Sequence, residues 1–393
     1  MSSVSALDAA VKDIKTVILN EGRISAAGIS NIIDRSNAVV AFIHKYFPNA
    51  AGSSVITDKV QATLDELNIG EDNLLYAQSV CPDEINHDRE GCITTDFINT
   101  FGGGKCFHLG GLGGIPFTGK TGWGAFTHHI PDGGNAFVLQ APHIGMSNSL
   151  KLGQFTRDGQ SHDGSACGAA VGALNHCCSG QPVPDLTECP DDYQMCFIMQ
   201  EVQKCLQIIE DSYINSSEFS SEDGFSMDEN ARQATLAKQM HRIGKKMLDS
   251  IVKDWQFGDD NSCLFVLTGI QINMPFEFED WFMPISFEMH HKDGTVVDLC
   301  DRTFGRGISK MRSDSFSTPS SPVRRKRTSS HAHVAGALTP RSPSLPTIKS
   351  QLELQEAAMA APILAMPSLN LNSPGQKERA KKSVKSMAAI VGL

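Results

Sequence analysis

Apolar and polar positions along this chain follow two periods, and the switches between them mark its elements. Residues 6–19, LDAAVKDIKTVILN, repeat apolar positions at helical spacing, and residues 27–46 and about 57–67 do the same. Residues 74–80, LLYAQSV, read as a short buried strand closed by Cys81-Pro82. A second apolar run, AFVLQAPHIG at 136–145, stops at Pro142, which cannot donate to a ladder, and delivers His143 just past its end. CLFVLTGIQINM at 263–274 is a third buried strand, and WFMPISFEM with TVVDL, joined by Lys292-Asp293-Gly294, predicts a hairpin. Further helices are predicted from Ser165 (SACGAAVGAL), over 194–210 and over 228–254, the last two flanking an acidic, serine-rich linker at 215–227. Residues 101–134 are rich in glycine and carry no usable period.

Strands that alternate with helices over 70–275 predict an α/β fold, a mainly parallel β-sheet flanked by helices, with the hairpin as an antiparallel edge. The expected organisation is a helical segment at 1–70, an α/β domain at 71–304 and a disordered basic Ser/Pro-rich tail at 305–393.

Composition changes that picture in two places. The formal net charge of -10 hides a basic tail: Arg306, Lys310, Arg312, Arg324, Arg325, Lys326, Arg327, Arg341 and Lys349 face only Asp314 between 306 and 350. The folded part is therefore clearly acidic, which argues against nucleic acid as its partner. The 11 cysteines form no regular framework, which fits a reducing compartment with some as ligands and most as core. No run reaches the roughly 18–20 apolar residues of a membrane span. MSSVSALDAAVKDIK has no basic-then-apolar leader, so the chain as it stands is expected in the cytoplasm; a plastid address would need a transit peptide ahead of it.

Candidate chemistry gathers at the element ends. Cys81 leaves one strand, His143 leaves another, and Cys167 starts a helix, where the N-terminus favours a thiolate. Such ends converge at one crevice of an α/β sheet. Two thiolates and an imidazole suit zinc (Zn2+) and leave a fourth position open. The competing reading makes the cysteines small buried hydrophobes and His143 a turn residue. Asp83, two residues past Cys81, is poorly explained by packing and well explained beside an open metal position.

CPDEIN (81–86), FHLGGLGGIPFTGKTGWGAFTHHIPDGG (107–134), APHIG (141–145), and RDGQ followed by ACGAA (157–170) resemble the limiting-carbon-dioxide-inducible protein B/C family. That family is related to theta-type carbonic anhydrases and is similar in fold and zinc site to the β-type. The resemblance covers about 75–300. It implies a β-carbonic-anhydrase-like fold, a homodimer, and zinc-dependent reversible hydration of carbon dioxide to bicarbonate in inorganic-carbon handling. The alternative it leaves open is a non-catalytic bicarbonate-binding or scaffold protein of a carbon-concentrating system. Carried over residue by residue, Cys81, His143 and Cys167 match the metal ligands, and Asp83 matches the aspartate of an Asp-Arg dyad. Ile85 stands where β-type enzymes have the dyad arginine, so Arg157 is taken as its substitute, with Arg89 second. His129, of the His128-His129 pair, is the proton-shuttle candidate, against a reading in which both histidines only cap backbone groups. Trp123 and Phe126 are weighed as walls of a carbon dioxide pocket against plain packing.

Two motifs stand apart. Gly114–Thr121 matches the P-loop expression literally, but that mechanism needs a strand before it and a helix after it, and the pattern predicts neither. In the tail, Thr318-Pro, Ser321-Pro, Thr339-Pro, Ser342-Pro and Ser373-Pro surround RRKR at 324–327, which fits a docking site for a regulatory partner or a plain solvated linker. QLELQEAAMAA and 377–391 predict short tail helices.

Overall fold

The computed structural model describes residues 26–87, 89, 91–214, 228–253, 255–275 and 278–305, all within a unit spanning Met1–Ser317. The expected helix at 6–19, the linker at 215–227 and the whole tail with its predicted helices lie outside the described residues. The helices are α1 (Ala26–Tyr46), α2 (Ser53–Glu66), α3 (Ile93–Phe101), α4 (Gly119–Thr127), α5 (Gly168–Cys178), α6 (Tyr193–Ile214), α7 (Glu229–Val252) and α8 (Cys300–Phe304). The strands are β1 (Ala51–Gly52), β2 (Leu74–Val80), β3 (Phe107–His108), β4 (Asn135–Ala141), β5 (His143–Gly145), β6 (Gln154–Phe155), β7 (Gly164–Ser165), β8 (Cys263–Asn273), β9 (Trp281–His291) and β10 (Val296–Asp298).

The main sheet runs β1-β9-β8-β4-β2-β3, with β10 also on β9 and β5 also on β8. Strands β2, β3, β4, β5 and β8 pair in parallel, and β9 and β10 form the antiparallel edge hairpin expected from their sequence. The mainly parallel α/β prediction therefore holds. Burial on both faces explains the unbroken apolar runs. Tyr76, Phe137, Phe265, Leu267 and Phe287 face Ile56, Val60 and Phe97 of α2 and α3. The alternate positions Ala77, Ala136, Val138, Leu264 and Val266 face Leu248, Ile251 and Val252 of α7. Val39, Ile43 and Tyr46 of α1 pack with Ile144, Ile270 and Ile272, so the first described helix supports the end of the sheet that carries His143.

Register then positions the site. Val80 pairs with Ala141 at the ends of β2 and β4, so the chain leaves both strands side by side at Cys81 and Pro142. Pro142 interrupts the ladder without ending it. Its carbonyl accepts from Gln271 N, and His143 resumes pairing opposite Gln271 as β5.

The glycine-rich stretch is more regular than its sequence suggests, because it contains β3 and α4. Each glycine costs a helix interior about 1 kcal/mol relative to alanine. Burial of Trp123 and Phe126, three residues apart, in the α7-facing core outweighs that cost. Both aromatics are buried core residues, as the packing reading has them. Gly114, at φ +71°, brings its backbone so close to β4 that a Cβ there would lie 2.8 Å from Ala141 O and 2.9 Å from Pro142 N.

Helix α4 also corrects the reading of the P-loop match, since a helix does begin at Gly119. What precedes it is a single 3-10 turn, Leu112–Gly114, and Gly119 N is taken by Pro116 O at 3.1 Å. Lys120 is exposed. Lys120→Ala is therefore expected to shift stability by less than about 0.5 kcal/mol in urea melts. Calorimetric titration with Mg-ATP is expected to give no binding heat for wild type or variant.

A disulfide joins Cys189 to Cys196 with Cα atoms 6.5 Å apart; of the free cysteines, Cys178 is exposed, Cys106 and Cys205 are half-buried, and the rest are buried. Among the described residues no helix is long and apolar enough to cross a membrane.

Candidate metal centre

Three elements deliver three ligand-type side chains to one point. Cys81 follows β2 directly, and Pro82 prevents the strand from continuing. His143 opens β5. Cys167 is the N-cap residue of α5 and follows the small β6–β7 hairpin, whose register pairs Gln154 with Ser165. All three residues are buried, and their ligand atoms lie within 4.8 Å of one another. The two sulfurs are 3.8 Å apart. Ligands about 2.3 Å from a tetrahedral ion sit about 3.8 Å from each other, so this spacing fits zinc. His143 Nε2 is buried with no hydrogen-bond partner. An imidazole nitrogen left so beside two sulfurs is what a metal would satisfy.

The charges agree. The Cys81 contact is the main influence lowering the Cys167 pKa; burial opposes it, and the first-turn N–H groups of Ala170 and Ala169 add to it. Cys81 is driven far upward by the same contact and by burial. Of the two thiols, Cys167 at the helix start is thus the one whose surroundings favour the thiolate. Burial opposes a charge on His143, but the Cys81 sulfur and the Asp83 carboxylate outweigh it and raise the ring pKa.

Asp83 and Arg157 border this group. Arg157 Nη2 donates to both Asp83 oxygens at 3.1 Å, and Asp83 Oδ2 stands 3.8 Å from His143 Nε2. Burial alone would raise the Asp83 pKa; a Glu84 hydrogen bond, His143 and Arg157 together hold it below the usual carboxylate range. Arg157 lies in the β6–β7 turn and is aimed by two further bonds, Nε to Glu84 Oε1 at 2.6 Å and Nη1 to Ser165 O at 3.3 Å. One hairpin therefore presents both Arg157 and, two residues past its end, Cys167.

The other candidates lie elsewhere. Arg89 binds Asp280, with Nη1 3.1 Å from Oδ1, and donates through Nη2 to Met274 O, Pro275 O and Phe278 O. His129 is exposed just past α4, its ring edge-on to Phe107 with centroids 6.0 Å apart. The sequence pattern did not single out a buried polar set behind His143, formed by Asn273, Asn86, Asp280 and Gln271. Nor did it single out a histidine pair, His87 and His108, with ring centroids 6.2 Å apart. A signal for the first was visible: Gln271 and Asn273 interrupt an otherwise apolar strand, and fully buried amides there need partners.

A mainly parallel sheet whose strand ends and one helix start gather two cysteines and a histidine defines a carbonic-anhydrase-like domain with a candidate metal centre. Residues 50–291 match the family model described as "Limiting CO2-inducible proteins B/C beta carbonyic anhydrases". The chain belongs to that family. It is similar to the crystal structure of PtLCIB4, a homolog of the limiting CO2-inducible protein LCIB, at 27% identity and TM-score 0.55, covering 66% of this chain and 98% of that one. A histidine-to-alanine mutant of PtLCIB4 compares at the same identity and TM-score, covering 66% and 96%. The LCIB crystal structure compares at 20% identity and TM-score 0.45, covering 65% and 95%. No curated protein matches the chain.

Proposed function

We propose that this protein is a zinc-dependent carbonic anhydrase that interconverts carbon dioxide and bicarbonate. The observation that carries the reading is the buried Cys81–His143–Cys167 group with the Arg157-clamped Asp83 carboxylate against it. Cys81, His143 and Cys167 would hold the metal. A bound zinc supplies an acidified water with a pKa of about 7, as in carbonic anhydrases with three histidine ligands.

Everything else in the chemistry falls to this chain's own groups. Asp83 accepts a hydrogen bond from the attacking oxygen and orients it, and Arg157 keeps that carboxylate ionised and turned to its place. Glu84 holds Arg157 in turn. Ile85, Phe155 and Ala166 form a small buried apolar cluster, each one or two residues from Asp83, Arg157 or Cys167. Homodimerisation and a part in inorganic-carbon handling belong to the same reading.

Elemental analysis of reduced, full-length protein paired with stopped-flow carbon dioxide hydration tests it. One zinc per chain with hydration that disappears on chelation is the expected result. Zinc without hydration would replace the enzyme with a bicarbonate-binding or scaffold role, and absence of zinc would remove the centre altogether.

A further inference from the structure

Behind His143 lies a buried chain of hydrogen bonds whose direction can be worked out from donors and acceptors alone. His143 Nδ1 is 2.8 Å from Asn273 Oδ1. Asn273 Nδ2 lies 3.1 Å from Asp280 Oδ2 and 3.1 Å from Asn86 Oδ1. Asp280 is fully buried and surrounded by donors: Arg89 Nη1 at 3.1 Å and Met274 N at 2.9 Å on Oδ1, and Gln271 Nε2 at 3.2 Å on Oδ2. A carboxylate in such company only accepts.

Asn86 gives an independent second anchor. Its Nδ2 donates to Cys81 O at 3.2 Å, so its Oδ1 is the atom left to face Asn273. Both acceptors demand a donor from Asn273, so its NH2 group points at Asp280 and Asn86 and its carbonyl at His143. That carbonyl in turn requires a proton on Nδ1. The neutral ring then has its lone pair on Nε2, the buried atom that lacks a partner and sits among the Cys81, Cys167 and Asp83 side chains.

We infer that Asn273, oriented by Asp280–Arg89 on one side and Asn86 on the other, is a positioning residue that sets the His143 tautomer and aims Nε2 at the metal position. The inference rests on the zinc reading for its purpose, while its geometry stands without the metal. It also accounts for Arg89, whose guanidinium fixes the carboxylate that fixes the amide. The remaining Arg89 donors tie down the carbonyls of Met274, Pro275 and Phe278 between β8 and β9. Outer partners of metal-bound histidines are commonly carboxylates or carbonyls that act directly on the ring. Here the carboxylate is set one amide further back, which preserves the direction of the proton and moderates the negative charge felt by the imidazole.

Two measurements on the full-length chain test this. In metal-free wild type at alkaline pH, where the ring is neutral, 15N shifts of His143 are expected to show the proton on Nδ1. A proton on Nε2 would overturn the inference, and this result needs no metal. Chelator competition then reads zinc affinity in Asn273→Ala, expected to fall by about 10–100-fold, the usual cost of losing such an outer partner. Transposing the two groups in Asn273→Asp/Asp280→Asn returns an acceptor to Nδ1 and is expected to recover the affinity to within about threefold of wild type. Cobalt(II) absorption bands should shift in Asn273→Ala and return in the transposed variant. Wild-type affinity in a natively folded Asn273→Ala, or a transposed variant that regains the native circular dichroism but not the affinity, would show that Asn273 merely packs. Should Asn273→Ala fail to fold, the tautomer and the transposed variant still decide. Wild type that takes up no zinc sinks the zinc reading by itself, and the 15N result is judged separately.

Discussion

His143→Ala is expected to empty the centre of zinc while leaving the fold standing. The argument begins with what the ring contributes. It is the only nitrogen donor of the three-residue group, and its Nε2 has no other partner to lose. Cys81 and Cys167 alone would be left to hold the ion. The affinity loss should therefore exceed the about 10–100-fold typical of an outer-shell change. The structural cost is smaller. Removing the ring leaves Asn273 Oδ1 without its donor, about 1–3 kcal/mol for a buried acceptor, and the clusters on both faces of the sheet are untouched. Elemental analysis should find substoichiometric zinc, stopped-flow hydration should fall to the uncatalysed rate, and circular dichroism should stay native. Full zinc occupancy in His143→Ala would place the metal elsewhere. The order of events matters too: metal should be lost before turnover is affected, so a variant that keeps zinc and loses rate would also contradict the assignment.

How much of this was legible in the sequence depends on which force decided each element. The β4 and β8 runs and the Lys292-Asp293-Gly294 hairpin were legible because burial on one or both faces writes itself directly as apolar pattern. Cys81 and His143 were legible for the same reason, since each sits where a proline cuts such a run. Cys167 needed a second cue, the small-residue helix that it caps. Helix α4 was not legible. Its glycines argue against a helix, and only the packing of Trp123 and Phe126 on α7 overrides them. Arg157 could be nominated from the resemblance alone, because no local pattern reveals a turn that reaches across 74 positions of sequence to Asp83. The polar set behind His143 fared worst. The amides that interrupt β8 stand out, but no period or motif links Asn273 and the nearby Asp280 to Asn86, which is 187 positions away from Asn273.

Arg157→Ala should show what the dyad does, through rate and not through metal loss. Arg157 makes three kinds of contact at the site: Nη2 on both Asp83 oxygens, a short Nε bond to Glu84 and an Nη1 bond to Ser165 O. Its side chain is 20% exposed and that of Asp83 12%, so the pair is shielded enough for geometry to matter, whereas Glu84 at 69% is a tether. Without the guanidinium, Asp83 is left with a Glu84 hydrogen bond and the 3.5 Å contact to Ile85 N, and its Oδ2 already stands 3.8 Å from His143 Nε2. A released carboxylate competes with water for the metal position. An orienting or proton-accepting group of this kind is worth about 10²–10⁴-fold in rate, so turnover should drop by about 10²-fold or more with zinc content unchanged. Arg157→Lys should recover little of it, because a single ammonium cannot hold Asp83, Glu84 and Ser165 O at once, as the guanidinium does through Nη2, Nε and Nη1. Glu84→Ala should cost far less, since the grip on Asp83 survives it. The comparison separates two explanations that a single variant would confuse. If charge alone were needed, lysine would rescue. If the position of Asp83 is what matters, only arginine serves, and Asp83→Asn should lose rate to a similar degree while Arg157 stays in place. Unchanged turnover in Arg157→Ala would remove the dyad from the mechanism and leave Asp83 as no more than the cap of the turn after Cys81.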